Sequence, residues 1–273
     1  MPTHFYHVDA FTSIPYAGNP AVVCPLDGPA DPEWMQRVAA EMNVSETAFF
    51  YPLTDGALTD GPDSGAFHLR WFTPTVEVDL CGHATLASAH VLRQEGIVPG
   101  GAIARFQTAS GLLTVEITDD LLHMDFPAER AETVATPEAL ITGLGIKPIW
   151  VGRNRLDFVA ELESAAVVRN LTPDLRALTE LPGRGVIVTA RGDEPGIDYV
   201  CRVFGPKARI PEDPATGSAQ CALGPYWADK LGKTELNAYQ SSQRGGHLHV
   251  RPLGDRVIIS GQAVTTSSGQ LLH

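Results

Sequence analysis

One short pattern occurs twice in this chain and narrows what it can fold into. Arg70-Trp71-Phe72-Thr73-Pro74 and Arg202-Val203-Phe204-Gly205-Pro206 share the form Arg-x-Phe-x-Pro. After a few residues each leads to a turn containing Ala-Thr, at Ala84-Thr85 and Ala215-Thr216, and then to a helix of small residues. The pattern is weak by itself. Followed both times by the same turn and helix, it points to two related domains. A chain of 273 residues is long for one core and suits two. With 44% apolar and 19% charged residues, it has the composition of a folded protein.

Strands and helices can be placed around this repeat. His4–Phe11 and Ala21–Pro25 read as strands around the turn Tyr16-Ala17-Gly18-Asn19-Pro20. Asp31 is a good N-cap and Pro32 suits the first helical position, with Trp34, Val38, Ala39 and Met42 forming an apolar stripe. Thr47–Tyr51 and Phe67–Thr73 read as strands, and Leu86–Gln94 as a helix. Gly111–Ile117 and Leu121–Phe126 read as a hairpin around Asp119-Asp120. The polar stretch Glu129–Thr136 has no apolar period and marks a domain boundary. Beyond it, Asp157–Leu162, Val186–Ala190 and Tyr199–Phe204 read as strands, and Thr172-Pro173-Asp174 opens a helix through Leu178. A helix from Ala219 past Leu223 and closing strands His247–Pro252 and Arg256–Ser260 complete the plan.

Several functional classes are disfavoured. A net charge of −12, with no local Lys/Arg cluster, repels phosphate backbones and argues against nucleic acid as a partner. No apolar segment approaches the ~20 residues of a membrane helix, and Met1–Ser13 lacks the basic-then-apolar order of a signal peptide. Cys24, Cys81, Cys201 and Cys221 are far apart with no CxxC pair, which fits reduced thiols in a cytoplasm. No metal site is expected: His247 and His249 share a strand face without an obvious acidic third ligand. Neither GxGxxG nor GxxxxGK[ST] is present.

The two turns can hold an anion. Small residues let backbone approach a ligand closely, and the first turn of a helix offers free N–H groups at the positive end of its dipole. Gly82-His83-Ala84-Thr85 and Gly217-Ser218-Ala219 are such starts. If the domains face each other, both starts converge on one carboxylate substrate.

At these turns the sequence resembles the PhzF-like (phenazine-biosynthesis) branch of the diaminopimelate-epimerase-like superfamily. The resemblance is carried by His7-Val8-Asp9-Ala10-Phe11 with Gly18-Asn19-Pro20-Ala21, and by Asn43-Val44-Ser45-Glu46-Thr47-Ala48-Phe49. Further matches are Arg70–Pro74 with Asp79–Thr85, Glu212–Ala219, and Gly261-Gln262-Ala263-Val264. It implies an α+β fold of two pseudo-symmetric domains, each a curled β-sheet around a central helix, with the site in the cleft between them. The expected domains are 1–128 with a returning strand 260–273, and 129–259. The resemblance also implies a cofactor-free isomerase that moves a proton on a small, cyclic carboxylate, and a homodimer. Glu46 would be the acid/base, with His83, Asp213 and Ser218 lining the site. Gly82, Gly217 and Cys81 join them as substrate-binding candidates.

The chemistry of Glu46 agrees with that implication. One carboxyl group can take a proton from one carbon and return it at another. Apolar neighbours such as Val44, Ala48 and Phe49 are expected to raise its pKa and improve both steps. The bland alternative is a surface or helix-capping glutamate. His83 suits donation to a developing anion, or is simply a satisfied helix-start histidine. Asp213 and Ser218 suit substrate contact or helix capping. His7 and Asp9 read as domain structure. Related racemases oppose two cysteines. Cys81 stands at the first such position, whereas the repeat gives Glu212, Asp213 or Pro214 at the second. A helix N-terminus would lower the Cys81 thiol pKa, although a small packed residue is the plainer reading, and Cys221 reads as core. The rival readings are a racemase or epimerase using Glu46 or Cys81, and a non-catalytic binding protein on the same scaffold.

Overall fold

The computed structural model describes residues 2–53, 65–118 and 120–272. Asp119, half of the expected Asp119-Asp120 turn, lies outside them. The architecture is α+β and dominated by strands. The chain divides into two compact units, Met1–Asp125 with Ser260–His273, and Phe126–Ile259.

The first unit comprises β1 (Thr3–Ala10), β2 (Asn19–Pro25), α1 (Pro32–Met42), β3 (Glu46–Pro52), β4 (Ala66–Phe72), β5 (Glu77–Val78), α2 (Gly82–Gln94), β6 (Ile103–Thr108), β7 (Gly111–Ile117) and β8 (Leu122–Pro127). The second contains β9 (Glu132–Thr133), α3 (Glu138–Leu144), β10 (Trp150–Arg153), β11 (Asp157–Glu161), α4 (Ala165–Asn170), α5 (Leu175–Leu178), β12 (Gly185–Arg191), β13 (Tyr199–Gly205), β14 (Ile210–Asp213), α6 (Gly217–Leu231), β15 (Leu236–Gln240), β16 (Gly246–Leu253) and β17 (Arg256–Gly261). The chain then returns to the first unit as β18 (Ala263–Leu271), antiparallel to β1.

The two units repeat one pairing scheme. In the first, β1–β2 is antiparallel, β2–β3 parallel and β3–β4 antiparallel; β4 takes β5 antiparallel and β6 parallel, and β6–β7 is antiparallel. In the second, β10–β11, β11–β12, β12–β13, β13–β14, β13–β15 and β15–β16 follow the same directions in the same order. The repeated arginines explain the sequence pattern. Arg70 grips both carboxylate oxygens of Glu77 at 2.7 Å and stacks 5.2 Å from the Phe72 ring centre. Arg202 grips Glu212 at 2.7 and 2.9 Å and stacks 5.0 Å from Phe204. In both units the arginine therefore locks a strand to the short strand after it.

Each unit has a helix at its centre. In α2, His83 through Ala89, Val91 and Leu92 are buried, and the helix packs against β1, β2, β3, β7 and β18. Burial on all faces requires side chains that are small or apolar. In α6 the buried set runs from Gly217 and Ala219 through Pro225 to Trp227. Pro225 does not break this helix. It has no N–H for the Cys221 carbonyl, and that carbonyl instead accepts the Glu129 N–H at 2.9 Å. Helix α1 lies outside its sheet. Asp31 caps it by accepting from the Glu33 N–H at 3.1 Å, and Met35, Val38 and Ala39 are buried beside Val22, Cys24, Phe49 and Phe72.

Some expectations need correction. The helix expected from Thr172-Pro173-Asp174 starts later: Asp174 is its cap, so Pro173 stands outside. The repeat also aligns differently at the turns. Cys81 and Thr216 are the N-caps of α2 and α6, so Gly82-His83-Ala84 matches Gly217-Ser218-Ala219, and Ala84-Thr85 does not match Ala215-Thr216. No helix among the described residues is long and apolar enough to cross a membrane.

Candidate functional site

In the first unit the chain brings together three of the predicted residues. Glu46 is the first residue of β3, opposite Ala21 of the parallel neighbour β2, and is 9% exposed. Thus it is a strand residue, not a helix cap. Cys81 and His83, each 6% exposed, belong to the N-cap and first turn of α2. The His83 Nε2 lies 3.0 Å from the Glu46 Oε2. The approach is close but poorly aimed, leaving buried Oε2 in charge contact without a directed hydrogen bond. Cys81 Sγ lies 3.5 Å from Nδ1 and 4.0 Å from Nε2 of the same ring.

The electrostatics follow from this packing. Burial alone would lower the pKa of His83, but Cys81 and Glu46 beside it outweigh burial and hold it well above its ordinary value. Burial, together with the nearby Glu46, pushes the Cys81 thiol up. This is the opposite of the lowering expected from a helix N-terminus, because desolvation of the thiolate exceeds the dipole's attraction.

Neither central helix has a side-chain cap. Cys81 makes no capping bond, and the Thr85 hydroxyl turns to the Cys81 carbonyl at 2.6 Å. Thr216 makes none either, because its hydroxyl donates to Asp213 Oδ2. The first-turn amides of Gly82 and His83, and of Gly217 and Ser218, are therefore not covered by their caps. Asp213 closes β14 three residues before Thr216 and does not cap α6.

In the second unit Gly217 opens α6, and the predicted residues Asp213 and Ser218 make hydrogen bonds that spacing in the sequence did not reveal. Gln240, fully buried, donates to the Asp213 carbonyl at 2.6 Å and to Thr216 Oγ1 at 3.1 Å, and accepts the Thr216 N–H at 2.8 Å. Gln220 donates to the Thr216 carbonyl at 3.1 Å and accepts the Tyr199 hydroxyl at 2.6 Å. Ser218 Oγ accepts from Arg184 at 3.2 Å, and the same guanidinium is paired with Asp157. The one available signal was two glutamines in otherwise apolar segments.

His247 and His249 are accounted for locally. His249 Nδ1 lies 2.7 Å from Asn237 Oδ1, and His247 packs 4.8 Å from the Tyr239 ring. Asp9 holds its own turn by accepting the Tyr16 N–H at 2.7 Å. Cys221 is 4% exposed, as a core residue is.

Comparison with known proteins identifies the lineage. Residues 8–269 match the PhzC-PhzF family, described as phenazine biosynthesis-like protein. An uncharacterised isomerase of Halalkalibacterium halodurans is 46% identical over 273 residues, covering 100% of this chain and 99% of that protein. The crystal structure of a phenazine biosynthesis protein of the PhzF family from Enterococcus faecalis is 40% identical, covers 100% of both chains and has a TM-score of 0.92. A hydroxyproline epimerase from Agrobacterium vitis, 12% identical, shares the fold with a TM-score of 0.59 over 99% of this chain and 92% of its own. The matches, the repeated pairing scheme and the central helices together show that this chain belongs to the phenazine biosynthesis-like PhzC-PhzF family, an isomerase family on an epimerase-like α+β fold.

Proposed function

We propose that the protein is an isomerase that moves a proton between carbons of a small carboxylate-bearing metabolite, cyclic in the form the resemblance suggests, with Glu46 as the acid/base. The observation that carries this reading is the buried Glu46 Oε2, 3.0 Å from the His83 Nε2 and without a directed hydrogen bond. A carboxylate held in this way is ready to take a proton from a C–H bond beside an electron-withdrawing group. The electron pair shifts into the substrate's π-system, and the protonated Glu46 returns the proton at another carbon. The proton taken equals the proton returned, so the cycle balances without an organic or metal cofactor. His83 stabilises the carboxylate before transfer and the developing anion after it.

The amides of Gly82 and His83 suit the substrate carboxylate. The corresponding start at Gly217-Ser218, with Asp213, is assigned to the same substrate. This assignment rests on the family resemblance, as does a homodimer; a cytoplasmic location rests on the four far-apart cysteines. A two-thiol racemase is disfavoured, because the Cys81 thiol is pushed up and its counterpart in the repeat is Thr216. The absence of a basic cluster disfavours nucleic acid as a partner.

The test is proton NMR in heavy water with small unsaturated amino and hydroxy carboxylates, comparing wild type with Glu46→Gln. Deuterium uptake at carbon that falls by a factor on the order of 10² or more in the variant supports the reading. Uptake that survives the substitution moves the acid/base role away from Glu46, and inversion at a stereocentre without a double-bond shift favours an epimerase.

A further inference from the structure

Glu46, Cys81 and His83 also form a set of metal ligands. They supply one carboxylate oxygen, one sulfur and one imidazole nitrogen, and all three ligand atoms lie within 4.8 Å of one another. Tetrahedral zinc takes sulfur at about 2.3 Å and nitrogen or oxygen at about 2.0–2.2 Å, so adjacent ligand atoms stand roughly 3.3–3.6 Å apart around it. The pairs here stand 3.0 Å apart (Oε2 to Nε2) and 4.0 Å apart (Sγ to Nε2). One pair is a few tenths of an ångström short of that spacing and the other a few tenths long. A second observation points the same way: buried Oε2 has no directed hydrogen bond, only the 3.0 Å charge contact with His83 Nε2, and a cation between the two atoms would replace that contact. The trio is buried, at 6–9% exposure, so a cation held there is largely withdrawn from solvent. Among the described residues no other group of three His, Cys, Asp or Glu side chains brings its ligand atoms this close.

We propose that Glu46, Cys81 and His83 bind one soft divalent cation, zinc being the best match. Sulfur and imidazole select zinc, cobalt or cadmium over magnesium or calcium. On binding, the Cys81 thiol and the protonated His83 ring each release one proton to solvent, and the sulfur and the freed imidazole nitrogen form the metal bonds beside a Glu46 oxygen. The fourth position stays open to water. On the isomerase reading above, occupancy removes Glu46 and His83 from proton transfer, so the cation is an inhibitor. Binding itself does not depend on that reading.

The experiment is titration of the reduced full-length protein with cobalt(II) at pH 8, followed by displacement with zinc, for wild type, Cys81→Ser and Glu46→Gln. Circular dichroism checks that each variant is folded. The expected result is one cobalt per chain with a thiolate-to-metal charge-transfer band and the visible bands of tetrahedral coordination. The charge-transfer band disappears in Cys81→Ser, and zinc affinity falls on the order of tenfold or more in each variant. Absence of the charge-transfer band in wild type overturns the proposal. So does binding to both variants as tight as to wild type, which would place the cation elsewhere. Because no substrate enters the measurement, its failure is distinct from failure of the proton-transfer assay.

Discussion

Glu46 and Gly185 hold the same place in the two halves of the repeat. Each is the first residue of its unit's third paired strand, and the next residues, Thr47 and Val186, face the repeat's phenylalanines, Phe72 and Phe204. The pairing scheme is thus duplicated, but its acid is not. A Cβ at Gly185 would stand 2.4 Å from the Phe204 carbonyl oxygen, too close for any side chain. The fold's symmetry stops where the proposed chemistry begins.

Gly185→Ala tests this constraint. Its backbone angle is ordinary, so the effect is purely steric and falls on a sheet backbone that cannot yield cheaply. The expected loss is about 2 kcal/mol, read as a lower urea midpoint with an unchanged slope. Stability equal to wild type would mean that the strand pair relaxes freely there.

The duplicated arginines should differ in their contribution. The Arg202 side chain is 12% exposed and its Glu212 partner 24%, and Nη1 also donates to the Leu171 carbonyl at 2.6 Å just beyond α4. The Arg70 side chain is 23% exposed and its Glu77 partner 41%. Arg202→Met strands a carboxylate and several carbonyls, and is expected to cost about 3 kcal/mol. Arg70→Met is expected to cost about 1 kcal/mol, because its partner can turn to water. Chemical denaturation of both variants gives the ranking.

Gln240 should be indispensable to the Asp213 turn. Gln240→Leu leaves the Thr216 amide and the Asp213 carbonyl without their buried partner. The expected loss is about 3 kcal/mol. Gln240→Glu should fare no better, since a carboxylate oxygen would then face the Asp213 carbonyl. Urea melts that find Glu equal to Gln would show that this donor contributes little.

His90 gives the stability a slope in acid. Burial, reinforced by Arg93, lowers it to about 4 from 6.5. Its Nε2 lies 3.1 Å from the Thr265 hydroxyl, which donates to Gln94 at 2.6 Å, so the neutral ring ties α2 to β18. In this range the unfolded chain binds the proton first. The contribution is therefore full above about pH 6.5 and is lost as pH falls toward about 4, by at most about 3 kcal/mol. His90→Gln is expected to flatten the difference in unfolding free energy between pH 7 and pH 4.5. An unchanged slope would assign the acid sensitivity to other groups.

Much of this architecture was legible because the repeat is physical: Arg, Phe and the acid that follows are one contact made twice. The cap of α1 was legible for the same reason, since Asp31 and Pro32 act locally. The turns were harder. Asp213 has the composition of an N-cap, but Gln240, 27 residues later, holds the turn so that Thr216 becomes the cap and points its hydroxyl back at Asp213. No local spacing reports such a distant constraint. Four-residue β10 and six-residue α4 lack the length to display a period. Glu46 and His83 were found through resemblance; their 3.0 Å approach joins residues on a strand and a helix whose meeting only the tertiary fold determines.

Leaving both central helices without side-chain caps has a thermodynamic consequence. A Ser or Asp cap typically contributes about 1 kcal/mol, so two helix starts without one forgo roughly 2 kcal/mol of folding free energy. A carboxylate that bonds the amides of either start restores part of that loss only in the folded chain. Ligand-free protein is then the least stable state in its own cycle, and folding and recognition are linked equilibria. The melting temperature becomes a detector: across a panel of metabolites, the compound that raises it most is the first candidate for the anion proposed to bond these helix starts.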